Sequence, residues 1–206
     1  MNSFKYNENL TLKGLKIQKK YSFFFKEISS LENLQIRKIE INRPIFICSL
    51  PRSGTTFTLN AINSLSNQVA GTSYKYLPFI VTPIIWNKFS KIFYGKRKLV
   101  KRIHGDKVFV NESSLESFDQ IIWNYFIGED SYKYLFEDNF YKDEVIRFID
   151  KEYSNFIKKV LYIEKKDRFI NKNNYLISKL PYLIDKFPNC KIIIPIRNLN
   201  DTLNSA

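Results

Sequence analysis

The chain has 206 residues, 44% hydrophobic and 16% aromatic, which excludes a disordered polymer and gives one domain enough apolar side chain for a core. Lys and Arg total 33 against 20 Asp and Glu, a net charge of +13 that raises a basic nucleic-acid-binding protein as one reading. The lysines are spread along the chain, with one local cluster from Lys96 to Lys107 and no recognised DNA or RNA motif, so the reading preferred here has no nucleic-acid partner.

Residues 1–43 are aromatic and Lys-rich, carry no motif, and hold a short helix around Phe23 to Leu34; they are expected to pack as an extension on a domain running from 44 to 206. The apolar run Pro44-Ile45-Phe46-Ile47-Cys48-Ser49-Leu50 then predicts a buried strand, and Pro51-Arg52-Ser53-Gly54-Thr55-Thr56 a tight turn into a helix. A strand, a Gly turn and a helix start make an anion pocket. The first N–H groups of the helix have no partner within it, and its dipole adds positive potential there. Gly54 lets backbone approach a phosphate, while Ser53, Thr55, Thr56 and the Arg52 guanidinium complete the cradle.

Set against the nucleotide-cleaving loop G-x-x-x-x-G-K-[ST], this one has Ser49 at the first glycine and Thr55 at the lysine, so only Gly54 and Thr56 fit. The missing lysine argues against cleavage of a triphosphate. Further along, the apolar block Tyr76 to Trp86 contains Pro78 and Pro83 and is shorter than the ~20 residues that span a bilayer. It is read as a loop and helix packed on the core, with an acceptor pocket wall or peripheral membrane contact left open. From Glu137 to Lys166, Val145, Phe148, Ile149, Tyr153, Phe156 and Val160 recur at three- and four-residue spacings, predicting one amphipathic helix on the sheet.

A second strand follows at Lys191-Ile192-Ile193-Ile194-Pro195-Ile196, ending in Arg197, with Asn200 or Asp201 expected to cap the next helix. Arg197 at the strand tip and Ser205 eight residues on are spaced to grip one anion. Strands alternating with helices give an α/β fold with a parallel sheet flanked by helices. Cys48 and Cys190 are read as buried free thiols, and with no secretory signal the expected compartment is cytoplasmic.

Pro51 to Thr56 and Arg197 to Ser205 together resemble the two nucleotide motifs of the sulfotransferases that use 3′-phosphoadenosine 5′-phosphosulfate (PAPS), within a P-loop NTPase-like fold. In that family a P-[KR]-S-G-T-T loop holds the 5′-phosphosulfate, and an arginine with a serine eight residues later holds the 3′-phosphate. Tyr74 to Phe79, His104-Gly105-Asp106, Ser114-Leu115-Glu116 up to Trp123, and Arg168 to Asn174 are similar to a bacterial branch. The resemblance covers residues 44 to 206. It implies PAPS as donor and a small-molecule, carbohydrate or lipid-linked glycan hydroxyl as acceptor, with no metal. Arg52 would neutralise charge on the leaving group, and Lys172 would assist near the donor.

Two departures concern the catalytic base. Where animal-type relatives read K-T-H this chain has Lys172-Asn173-Asn174, and Gly71-Thr72-Ser73-Tyr74 holds no carboxylate where the tyrosyl-protein enzymes carry a glutamate. His104, the single histidine, beside Gly105 and an Asp106 that could orient its ring, is the preferred base, and Glu116 is the runner-up, on a helix opened by Ser113 or Ser114 with Leu115, Phe118, Ile122 and Trp123 on its buried side. A P-loop small-molecule kinase is the alternative enzyme, opposed by the absent lysine and by Arg197 standing where magnesium-binding loops place an aspartate. The family normally continues past its 3′-phosphate serine, so the chain is also expected to be a C-terminally truncated fragment with weak or no activity alone. Oligomeric state is not fixed by the sequence.

Overall fold

The structure, a computed structural model, describes residues 8–93, 100–101, 109–128 and 142–203. Strands β1 (Ile45–Ile47), β2 (Val69–Ala70), β5 (Arg168–Lys172) and β6 (Lys191–Ile193) form a parallel sheet in the order β2-β5-β1-β6. Strands β3 (Val100–Lys101) and β4 (Phe109–Val110) make a separate antiparallel pair. In β1, Ile45, Phe46 and Ile47 stand opposite Ile170, Asn171 and Lys172 on one side and Lys191, Ile192 and Ile193 on the other. This central strand is buried at every position, as β-branched and aromatic residues covered on both faces should be.

Strand alternation divides the core into two layers. Ile45, Ile47 and Ile170 share one face with Leu59 of helix α3 (Thr55–Leu65). Phe46, Cys48 and Phe169 share the other with Trp123, Tyr153, Phe156, Val160 and Leu183. These last come from α5 (Asp119–Phe126), a π-helical turn (Phe148–Tyr153), α7 (Ser154–Glu164) and α8 (Leu180–Lys186). Trp123 lies with its ring centroid 4.6 Å from Phe148 and 5.1 Å from Tyr153. Each such contact adds roughly 0.5–1.5 kcal/mol beyond the area it buries.

The stretch expected to be one helix from Glu137 to Lys166 is, within the described residues, α6 (Lys142–Arg147), the π-turn and α7. Ser154 Oγ donates to the Ile149 carbonyl five residues back, at 2.7 Å, and the wider turn keeps Val145, Phe148, Ile149, Tyr153, Phe156 and Val160 all buried. The helix expected near Phe23 is α2 (Ser22–Glu32), followed by a 3₁₀ turn at Asn33–Ile36. Helix α1 (Glu8–Lys20) precedes it and had no apolar signature because it docks through Gly14 and Gln18. Gln18 is fully buried and accepts from the Val81 N–H at 3.1 Å, and a Cβ on Gly14 would meet Pro78 Cβ at 2.4 Å. Lys159 Nζ of α7 meets Glu32 Oε2 of α2 at 3.2 Å, with both side chains out of water.

Tyr76, Leu77, Ile80, Val81 and Ile84 are buried, so the apolar block packs on the core, running into α4 (Pro83–Phe93). Among the described residues no helix is long and apolar enough to cross a membrane. Strand β6 is shorter and more open than its sequence suggests. Pairing stops at Ile193, because Pro195 has no N–H to donate and restricts Ile194, leaving Ile196 92% exposed. Among the described residues Cys48 is a buried free thiol and Cys190 a half-buried one.

Candidate active site

Parallel strands put their carboxyl ends at one edge, and three segments of interest leave from there. After β1 the chain turns through Arg52 at φ 67° and Gly54 at φ 96°, then enters α3 with Gly54 as N-cap and no side chain capping the helix. A left-handed arginine is uncommon, and with the glycine it curls the backbone tightly enough for the Ser53 N–H to donate back to the Leu50 carbonyl at 3.3 Å. An added Cβ on Gly54 would meet nothing within 4 Å, so the space over the turn is open. Ser53 and Thr55 are buried, with Ser53 Oγ donating to the Leu50 carbonyl at 2.7 Å.

The β6 end closes onto this turn. Ser49 Oγ donates to the Pro195 carbonyl at 2.6 Å, the Cys48 N–H to Ile193 at 3.1 Å, and Arg197 Nη1 to the Arg52 carbonyl at 3.3 Å. Arg197 therefore lies beside the Gly54 turn, although the two are far apart in sequence. In the helix that follows, α9 (Leu199–Leu203), the cap differs from expectation. Asn198 Oδ1 accepts from the Asn200 N–H at 2.9 Å, because its position leaves its own side chain free to satisfy a first-turn donor. Ser205 lies outside the described residues.

The β5 end supplies Lys172. Its Nζ reaches Glu116 Oε1 at 2.7 Å and Thr56 Oγ1 at 3.3 Å, joining a carboxylate to the first turn of α3. Their side chains are only 10% and 11% exposed, so water screens the pair weakly. Glu116 is not on the helix expected to start at Ser113 or Ser114, since α5 begins at Asp119. Instead Ser114 Oγ accepts from the Asn111 N–H at 2.9 Å, closing a turn, and Ser73 and Leu115 form an antiparallel bridge. The Glu116 N–H donates to the Thr72 carbonyl at 2.9 Å, and Thr72 Oγ1 donates to the Glu116 carbonyl. A Cβ on Gly71 would stand 2.5 Å from the Ile170 carbonyl, so only glycine lets this segment lie against β5. The Gly71–Tyr74 stretch, which lacks a carboxylate of its own, thus receives one from Glu116. His104 falls between β3 and β4, outside the described residues.

Behind Lys172 is a polar cluster that the sequence reading missed. Asp119, fully buried, accepts from Asn171 Nδ2 at 2.7 Å, from Asn173 Nδ2 at 3.2 Å and from the Tyr153 hydroxyl at 3.3 Å. Burial raises the Asp119 pKa, opposed by the two asparagines, Tyr153 and the nearby charge of Lys179. Lys179 is itself brought down to about 8 by burial, with Asp119 pulling the other way. The visible signal was two asparagines at alternate positions of an apolar strand, but nothing local named Asp119 as their partner.

At the carboxyl ends of the parallel sheet the Gly54 turn, Arg197 on the Arg52 carbonyl, and Lys172 with Thr56 and Glu116 come together. That arrangement defines an α/β protein of the P-loop kind. The profile of the Sulfotransferase family matches residues 44–206, and the chain belongs to that family. No curated protein and no solved structure matches it. Family membership implies an enzyme that transfers a sulfuryl group to an acceptor.

Proposed function

We propose that the protein moves a sulfuryl group from PAPS to the hydroxyl of a carbohydrate, lipid-linked glycan or small metabolite. The observation that carries this reading is the Arg197 to Arg52 contact at 3.3 Å, which puts the second motif's cation at the rim of the phosphate turn. In this scheme the N–H groups of residues 54–56 and the hydroxyls of Thr55 and Thr56 hold the 5′-phosphosulfate, while Ser53, whose N–H and hydroxyl both donate to the Leu50 carbonyl, shapes the turn. Arg197, with Ser205, takes the 3′-phosphate and discriminates against ATP. PAPS supplies an activated sulfur: its bond to the bridging phosphate oxygen breaks as the acceptor oxygen bonds to sulfur, and the electron pair stays on the phosphate.

In this scheme Arg52 and Lys172 offset the charge that collects on that oxygen. Glu116 is the base of choice. It has a direct path to the loop through Lys172 and Thr56, and it takes the acceptor's proton as the new bond forms. His104 is the competing base, and Glu116→Gln against His104→Gln separates them by which variant loses turnover with donor binding intact.

Calorimetry with 3′,5′-adenosine bisphosphate, repeated with ATP, tests the reading. The bisphosphate should bind and ATP should bind much more weakly. Arg197→Ala should weaken the bisphosphate by roughly 1.5–3 kcal/mol, the range for hydrogen bonds to a charged group. Saturable, magnesium-dependent ATP binding without bisphosphate binding would favour a P-loop kinase instead.

A further inference from the structure

We infer that Asp119 is a positioning residue for Lys172, acting through the two asparagines that flank it. Successive strand residues point to opposite faces, so Asn171 and Asn173 share one face of β5 and Lys172 takes the other. On the first face a single carboxylate receives both amides, at 2.7 Å from Asn171 and at 3.2 and 3.3 Å from Asn173. Asn173 is held a second time by Gln120 Oε1, at 3.0 Å. On the other face Lys172 meets Glu116 and Thr56.

Glu116 and Asp119 are three residues apart. One short segment therefore grips the end of β5 from both sides, Glu116 in front through Lys172 and Asp119 behind through its neighbours. The grip is fixed in place by α5, the π-turn and the turn before α8. Asp119 opens α5, where a carboxylate is favoured by the helix dipole. Tyr153, delivered by the π-turn, donates to Asp119 and accepts from Asn171 Nδ2 at 3.0 Å. Lys179 approaches from the turn before α8 and adds its charge.

This clamp also assigns Asn173, the residue that stands at the family's histidine position less one. Its amide nitrogen is committed to Asp119 and Gln120 and the residue is 1% exposed, so it serves the strand and not the acceptor. The role of Lys172 in turnover rests on the sulfuryl-transfer reading; the clamp on its position does not.

Lys172 acylation separates the two. The full chain is treated briefly with acetic anhydride, and modification at Lys172 is followed by peptide mass spectrometry, with and without 3′,5′-adenosine bisphosphate. In Asp119→Asn one acceptor oxygen becomes an NH₂ facing the asparagine amides, so the end of β5 should loosen and Lys172 should acylate several-fold faster. Ile157, fully buried in the same layer as Trp123 and Tyr153, gives the control: Ile157→Val opens a small cavity there and should leave the rate unchanged, which distinguishes positioning from general loss of stability. An unchanged Lys172 rate in folded Asp119→Asn overturns the inference. Should that variant not fold, Asn173→Ser, which removes one arm only, decides by the same criterion. Protection of Lys172 by the bisphosphate in the unsubstituted protein is a separate readout: its absence counts against the sulfuryl-transfer reading and leaves the clamp to be judged by the rates alone.

Discussion

Lys172 Nζ and Glu116 Oε1 lie 2.7 Å apart, and the lysine's other contact is the hydroxyl of Thr56 in the first turn of α3. Three segments from separate parts of the chain meet in that one chain of contacts. The arrangement ties a carboxylate and an ammonium to the helix that follows the Gly54 turn.

Because the pair is nearly dehydrated, breaking it from one side should be expensive. Lys172→Met removes one side of this weakly hydrated pair while the Glu116 carboxylate stays mostly buried, and should cost about 3 kcal/mol, at the lower end for a buried pair with one partner removed. Glu116→Gln keeps an oxygen facing Lys172 and should cost less. Urea unfolding of both single variants and the double variant gives the coupling energy, and additivity would show that the two do not depend on each other.

Gly54→Ala isolates backbone conformation from sterics. There is open space where the Cβ would sit, so the penalty comes from φ 96°, about 1–2 kcal/mol for a left-handed L-residue. If the turn relaxes to avoid it, bisphosphate affinity measured by calorimetry should fall while the rest of the fold unfolds at nearly the usual denaturant concentration.

Alkaline stability should carry the signature of Lys179. Its ammonium is depressed to about 8 in the folded protein, whereas the unfolded chain holds that proton to near the ordinary lysine value of ~10.4. Between these values the unfolded state binds more protons, so stability rises with pH as the buried charge is relieved. The gain should be clearest from about pH 8 to 10, since Tyr125, raised to about 12, and the buried Tyr76 and Tyr153, also raised, pull the other way once unfolded tyrosines ionise. Lys159, also lowered by burial, adds to the rise, while Cys48 and Cys190, both raised by burial, oppose it. Urea midpoints of Lys179→Met should therefore climb less steeply than those of the unsubstituted protein; an identical slope would remove Lys179 from the account.

The Lys159–Glu32 pair fastens α2 to α7, and Lys159 also donates to the Ser29 carbonyl at 2.7 Å and to its hydroxyl at 2.6 Å. Lys159→Met should destabilise by about 3–5 kcal/mol, because an unpaired carboxylate stays buried. Replacing both by apolar residues should recover most of that loss. Thermal unfolding of the three variants provides the check, and a double variant no better than the single would show that packing, not charge, governs the contact.

What could be read from the sequence was local. The run 44–50, the Gly54 turn and the 191–197 strand with its terminal arginine each announce themselves through β-branched residues, turn formers and spacing, and so did the parallel α/β class. The amphipathic positions from Val145 to Val160 were legible too, although the π-turn at Phe148–Tyr153 was not, because a wider turn shifts register without changing which residues are apolar.

Tertiary structure alone decided who meets whom. Helix α1 was invisible because it buries a glycine and a glutamine, and neither reads as hydrophobic. Glu116 was placed on a helix from its neighbours' pattern, yet pairing with Thr72 and Ser73 pulled it into an extended segment against β5. The Asp119 cluster depends on one carboxylate reaching two asparagines more than fifty residues away. Periodicity reports which side of an element is buried, and it carries no information about the element packed against that side.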